Sequence, residues 1–240
     1  MRRHPAGLLL VVGLAVLPSP GVSAAERGTL SGVVRLDGPA PARPPLPVFK
    51  HAEICGASVP DDRLVVGPGG GLRYAVVTIE GIRGGNRPDR DVEHVLDNTH
   101  CRFEPHVQVA EVGHWLEITN SDPILHNVRS LAVDNPTFNF GQPTADPGRK
   151  LPAMQVAERF TIKCDIHPWM AAHVSVFEHP YFTVSGADGS FAIPGTLPDG
   201  QYTVTAWHEK LGEKQASVVV GDGKPATAEF VFDPSNLREE

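Results

Sequence analysis

The segment Lys163-Cys164-Asp165-Ile166-His167-Pro168-Trp169-Met170 puts a thiol, an imidazole and a thioether on one short loop. Thiolate and thioether suit Cu(I), and imidazole suits Cu(II). A second imidazole would complete the trigonal His2Cys set with a distant Met that serves electron transfer at copper. His126 is the best candidate for it. It follows the turn Asn120-Ser121-Asp122-Pro123, at the end of an expected strand. The next backbone N–H, that of Asn127, is then placed to donate to the thiolate sulfur and tune it.

Positioning these groups requires strands. Phe160, Ile162 and Cys164 share one face of an extended segment, and Thr161 and Lys163 share the other. The apolar face must be the core face, so the thiol points between two sheets at the end of a sandwich. Pro168 stiffens the loop that returns His167 and Met170 to the sulfur. Strands are also expected at 30–36, 74–79, 107–110, 115–119, 157–164 and 172–177. Five shorter ones follow, at 181–185, 190–193, 201–207, 215–220 and 227–232, with turns at Asp188-Gly189 and Asp199-Gly200. Residues 134–152 read as a long loop, and 82–92 as an exposed one. The 24 Gly and 23 Pro make up about a fifth of the chain, which disfavours helical bundles. The fold class is therefore all-β, with two sandwiches at roughly 28–178 and 180–235.

Residues 1–24 read as a secretory signal peptide: Arg2 and Arg3, an apolar run from Gly7 to Leu17, then Val22-Ser23-Ala24-Ala25 as the cleavage site. The expected location is periplasmic or secreted, with no membrane span. Loss of Arg2 and Arg3 leaves 19 basic against 28 acidic residues, a charge of −9. That balance argues against nucleic acid as a partner. It favours a basic protein partner met with a salt-sensitive rate. In such a compartment a disulfide persists, and three Cys leave one over. Cys55 with Cys101 is the expected pair, with Cys164 kept for metal. The alternatives are three reduced thiols, or Cys164 within the disulfide.

The Cys-x2-His-x2-Met loop with Pro after the His resembles that of the cupredoxins, especially the amicyanin-type short loop. Asn120 to Val128 is similar to their upstream ligand region, and Phe103-Glu104-Pro105-His106-Val107 to the strand before it. The resemblance spans about 98–178. It implies a Greek-key sandwich, one type 1 copper ion held by His126, Cys164, His167 and Met170, and a one-electron carrier rather than an enzyme. It also implies transient redox partners, such as a dehydrogenase or a cytochrome. Asp188-Gly189-Ser190-Phe191 and Pro198 to Val204 resemble carboxypeptidase regulatory-like, transthyretin-like modules, a smaller immunoglobulin-type sandwich used for docking or structure. The combination is similar to plastocyanin-like proteins of the methylamine-utilisation type.

Other readings are copper storage, delivery or sensing without electron transfer, and a carbohydrate- or protein-binding scaffold without metal. His167 is expected to be the electron port, with Pro123, Leu125, Pro168 and Trp169 as its apolar surround. His106 is a spare, either a further ligand or a surface or core-edge residue. His173 either binds a second metal or covers the site. His179 and His208 read as structural, and His51, His94, His100 and His114 as exposed. No His-x-His pair, second loop Cys, Gly-x-Ser-x-Gly elbow or phosphate loop occurs. A zinc site would call for more Cys or His and no Met.

Overall fold

The computed structural model describes residues 27–84, 93–144 and 146–238. The expected signal peptide and most of the expected 82–92 loop lie outside the described residues. Among the described residues no helix is long and apolar enough to cross a membrane. The only α-helix among them is the single turn Ala52–Cys55. The other regular elements among them are β-strands, apart from the 3-10 turns Pro68–Gly70 and Pro234–Asn236, in keeping with the Gly and Pro content.

Two cores form. One lies between a five-stranded and a four-stranded sheet. The first runs in the order Asn139–Gln142, His126–Ser130, Glu158–Lys163, Ala171–Phe177, Val107–Glu111. The second runs Arg149–Lys150, Trp115–Asn120, Glu93–Thr99, Arg102–Glu104. Both are mixed: Ala171–Phe177 is parallel to Val107–Glu111, and Glu93–Thr99 to Trp115–Asn120. Alternation explains the packing. Leu116, Ile118 and Asn120 point inward from one sheet; Phe160 and Ile162 point inward from the other.

The second core lies between the sheets Phe182–Val184, Val76–Ile79, Gly200–His208, Gly212–Val220 and Ser190–Ala192, Leu30–Leu36, Ala226–Phe232. Val34, Leu36, Val77, Ile79, Val204, Phe230 and Phe232 fill it. The Asp188-Gly189 turn forms as expected. Gly189 has φ +78°, and a Cβ there would lie 2.1 Å from the Val34 carbonyl oxygen.

This topology corrects the expected division at 178–180. Leu30–Leu36 and Val76–Ile79 belong with the C-terminal strands, not with the sandwich that carries Cys164. The Cys164 sandwich, 93–177, is thus inserted between two parts of a flanking sandwich. The parallel register of Leu30–Leu36 on Ala226–Phe232 joins the first and last parts of the described residues. Local pattern marks a strand but not a partner so far away. The expected loop 134–152 also contains two edge strands, Asn139–Gln142 and Arg149–Lys150. They are short and mostly polar, so they give little strand signal in the sequence.

Within the first part of the flanking sandwich, between Leu30–Leu36 and Val76–Ile79, a connector crosses to the inserted one. Leu46–Pro47 pairs with Ser58–Val59. Arg43 and Arg63 both pair with Asp61, and Arg102 with Asp62. Cys55 and Cys101 form the expected disulfide, with Cα atoms 5.5 Å apart.

Candidate metal centre

The end of Glu158–Lys163 delivers Cys164 into the core, with Phe160 and Ile162 buried on the same face. The loop then folds back on itself. The Met170 N–H donates to the His167 carbonyl (2.9 Å), and the Cys164 N–H to the Met170 carbonyl (3.3 Å). Two backbone N–H groups point at Sγ, those of Asn127 (3.4 Å) and His167 (3.3 Å). The Asn127 contact is the one expected from sequence. Burial alone would raise the thiol's pKa. Hydrogen bonds with His126 and His167 and from the two N–H groups outweigh it and bring the value to about 6. Cys164 is therefore a thiolate at neutral pH.

His126 opens the strand His126–Ser130 and is fully buried. Its Nδ1 lies 3.0 Å from His167 Nδ1, which lies 3.7 Å from Cys164 Sγ. One ligand atom from each of these three residues lies within 4.8 Å of the others. Two ring nitrogens and a thiolate thus face one point, as a metal ion needs. Met170 is buried in the same core beside Cys164. Its backbone closes the loop.

The remaining ring nitrogens are also engaged. His126 Nε2–H donates to Asp122 (2.9 Å), which leaves Nδ1 free to face the centre. Asp122 also accepts the N–H groups of His100 and Cys101, both at 2.8 Å. Burial would raise the Asp122 pKa; the bond from His126 and these N–H groups hold it below the usual carboxylate range. Burial would likewise lower His126, but Asp122 and the Cys164 thiolate raise it. Asp122→Asn should therefore strand a buried N–H or turn the imidazole. We expect a loss of about 1–3 kcal/mol of stability and 10–100-fold weaker metal binding, read by denaturant titration and by metal competition.

His167 corrects an expectation. It is 0 % exposed, so its ring does not reach the surface as the expected port would. His51 covers it, with His51 Nδ1 2.9 Å from His167 Nε2. If His167 offers Nδ1 to the centre, its Nε2–H donates to His51, whose side of the pair reaches the surface. Trp169 packs 5.1 Å from His167, centroid to centroid, and its Nε1–H donates to the Cys101 carbonyl. Pro123, Leu125 and Pro168 are exposed as expected, and Trp169 is half-buried.

Asp122 and His51 escaped the sequence reading. Asp122 was visible only as a turn residue, although it stands four before His126. His51 reads as an exposed residue, which it is; the Cys55–Cys101 link was the one signal that could have drawn it to the site. His114 is buried, against expectation, and its Nδ1 accepts the Glu111 N–H. His94, also expected to be exposed, is half-buried beside it, the two ring nitrogens 2.9 Å apart. His106 is buried and His173 largely so, neither of them part of this cluster.

No protein-family profile matches the chain, and no curated protein sequence does. Among solved structures it is similar to a copper-containing nitrite reductase from Thermus scotoductus: 19% identity over 40% of this chain and 25% of that one, TM-score 0.34. It is similar to the reduced Cu(I) form of a point mutant of amicyanin, with 21% identity over 42% and 98% of the two chains and TM-score 0.31. A purple cupredoxin from Nitrosopumilus maritimus gives 23% identity over 36% and 100%, TM-score 0.30. The chain thus spans a quarter of the reductase and nearly all of the two small proteins. These likenesses are partial, and the side-chain geometry is what describes the site.

Proposed function

We propose that the protein is an exported one-electron carrier. In this reading His126, Cys164 and His167 hold a single type 1 copper ion, with Met170 as its weak axial thioether. The observation that supports it most is the buried His–Cys–His set around a thiolate that accepts two backbone N–H bonds. The bound ion would supply a Cu(I)/Cu(II) couple, and the chain's residues would supply rigidity and dryness. Every nitrogen that turns away from the centre is held: His126 by Asp122, His167 by His51. Such anchoring keeps ligand positions unchanged when charge changes. The disulfide suits an oxidising compartment, in line with export.

The contact surface for a redox partner is then the ground around His51, not His167 itself. Phe49, 78% exposed and two residues before His51, and Pro168, next to His167, line one cavity. Partners would be redox proteins bound briefly, and the flanking sandwich a transthyretin-like docking module. His51→Ala should keep the intense visible band, since the ligand set is intact. It should weaken copper by about 10–100-fold, because the orienting bond to His167 is gone. Metal competition beside the visible spectrum checks both.

The test is addition of Cu(II) to the purified mature protein, followed by absorption and EPR spectra. An intense blue or purple band with narrow copper hyperfine splitting, bleached by one electron per copper and restored on oxidation, is expected. A pale species with wide splitting would overturn the electron-carrier reading in favour of copper storage or delivery.

A further inference from the structure

A second group of side chains lies where the two sandwiches meet. His106 and His173 come from the inserted sandwich, and Glu209 from the hairpin between Gly200–His208 and Gly212–Val220 of the flanking one. One ligand atom from each lies within 4.8 Å of the others. His106 Nε2 contacts Glu209 Oε1, and His173 Nε2 lies 3.0 Å from Oε2. His106 Nδ1–H donates to the Ala171 carbonyl (3.0 Å), and His173 Nδ1 lies 3.2 Å from Thr161 Oγ1.

We propose that His106, His173 and Glu209 form a second metal site, for a divalent ion of the zinc class, which joins the two sandwiches. The hydrogen bonds carry the case. A neutral His106 that donates from Nδ1 has a lone pair at Nε2, aimed at a carboxylate oxygen that also only accepts. His106 facing that carboxylate therefore needs either an added proton or a cation between them, whereas a neutral His173 reaches it only with its proton on Nε2 and the Thr161 hydroxyl donating to Nδ1. A divalent ion satisfies all three groups at once. The outer bonds to Ala171 and Thr161 are the kind that fix tautomer and ring orientation in metal-binding His. Two His and one Glu suit zinc and its neighbours. Tyr74 packs against the ring of His106, and Trp207 against that of His173. Both rings are thus already held in place. A cavity of about 380 Å³, lined by His173, Glu209, Thr161 and Lys163 among others, opens one side. That side leaves coordination positions for water or a small anion. Ala171 directly follows Met170, so the two metal sites share a backbone segment.

The test uses the full mature chain carrying Cys164→Ser, which removes the thiolate of the first centre and keeps the two readings separate. Co(II) is titrated and followed by its d–d absorption and by metal analysis after desalting. One Co(II) per chain is expected, displaced by Zn(II). Adding Glu209→Gln should weaken it by more than about 100-fold, beyond the cost of losing an outer-shell partner. His173→Gln should do the same, with circular dichroism showing that each variant is folded. No binding of Co(II) overturns the proposal and leaves an ion-pair staple. Undiminished binding in Glu209→Gln also overturns it, since the ion then sits at His126 and His167.

Discussion

Cys164→Ser is expected to abolish the intense visible absorption of the copper-loaded protein and to cost more than about 100-fold in copper affinity, above the range for an outer-shell partner. The serine hydroxyl is a neutral, hard donor where a thiolate stood. The two N–H groups aimed at Sγ would keep a smaller acceptor at longer range. A second effect appears without metal. The thiol's value falls from 9.0 to about 6 on folding, because His126, His167 and the two N–H groups outweigh burial. Between those values the unfolded chain holds a proton that the folded one has released, so the thiol's own contribution to the stability of the metal-free protein rises with pH, against the opposite contribution of His126, whose value is raised. The slope is at most about 1.4 kcal/mol per pH unit. It should be lost as pH falls through 6 and be absent in Cys164→Ser. Urea titrations in a chelator across this range check it; a wild-type slope equal to the variant's would mean the thiol is not ionised by its surroundings.

Removing the Cys55–Cys101 disulfide should produce the largest loss of stability. The bond closes a loop of 46 residues. Chain entropy for that length corresponds to about 4 kcal/mol, a large share of a typical domain's stability. The double Ser variant should show this as an earlier denaturant midpoint. The consequence for the site follows from position. Cys55 ends the helical turn that starts just after His51, and Cys101 donates to Asp122 and accepts from Trp169. Freed of the bond, the connector should release His51 from His167. Copper affinity should then fall as in His51→Ala, and adding His51→Ala to the Ser variant should change little more. Additive losses would show that the connector holds His51 without the disulfide.

Several features were legible in the chain alone because they are local. Strand alternation at Phe160, Ile162 and Cys164 pointed the thiol inward, and Asn127 met the sulfur because it adjoins His126. The odd Cys count, with His167 and Met170 beside Cys164, singled out the pair that bonds. The all-β class followed from Gly, Pro and the absence of any helical period. Tertiary structure alone decided the rest, because it joins residues that no short window contains. Leu30–Leu36 and Ala226–Phe232 meet in one parallel pairing, which turns two expected consecutive sandwiches into one inserted in another. His51 and His167 are 116 residues apart and share a hydrogen bond that buries the expected port. His106 and Glu209, separated by 103, meet only because the two sandwiches pack together. Side-chain type and spacing set what a residue can bind. Which polar group faces it across the core depends on long-range pairing, and that pairing has no signature in local sequence.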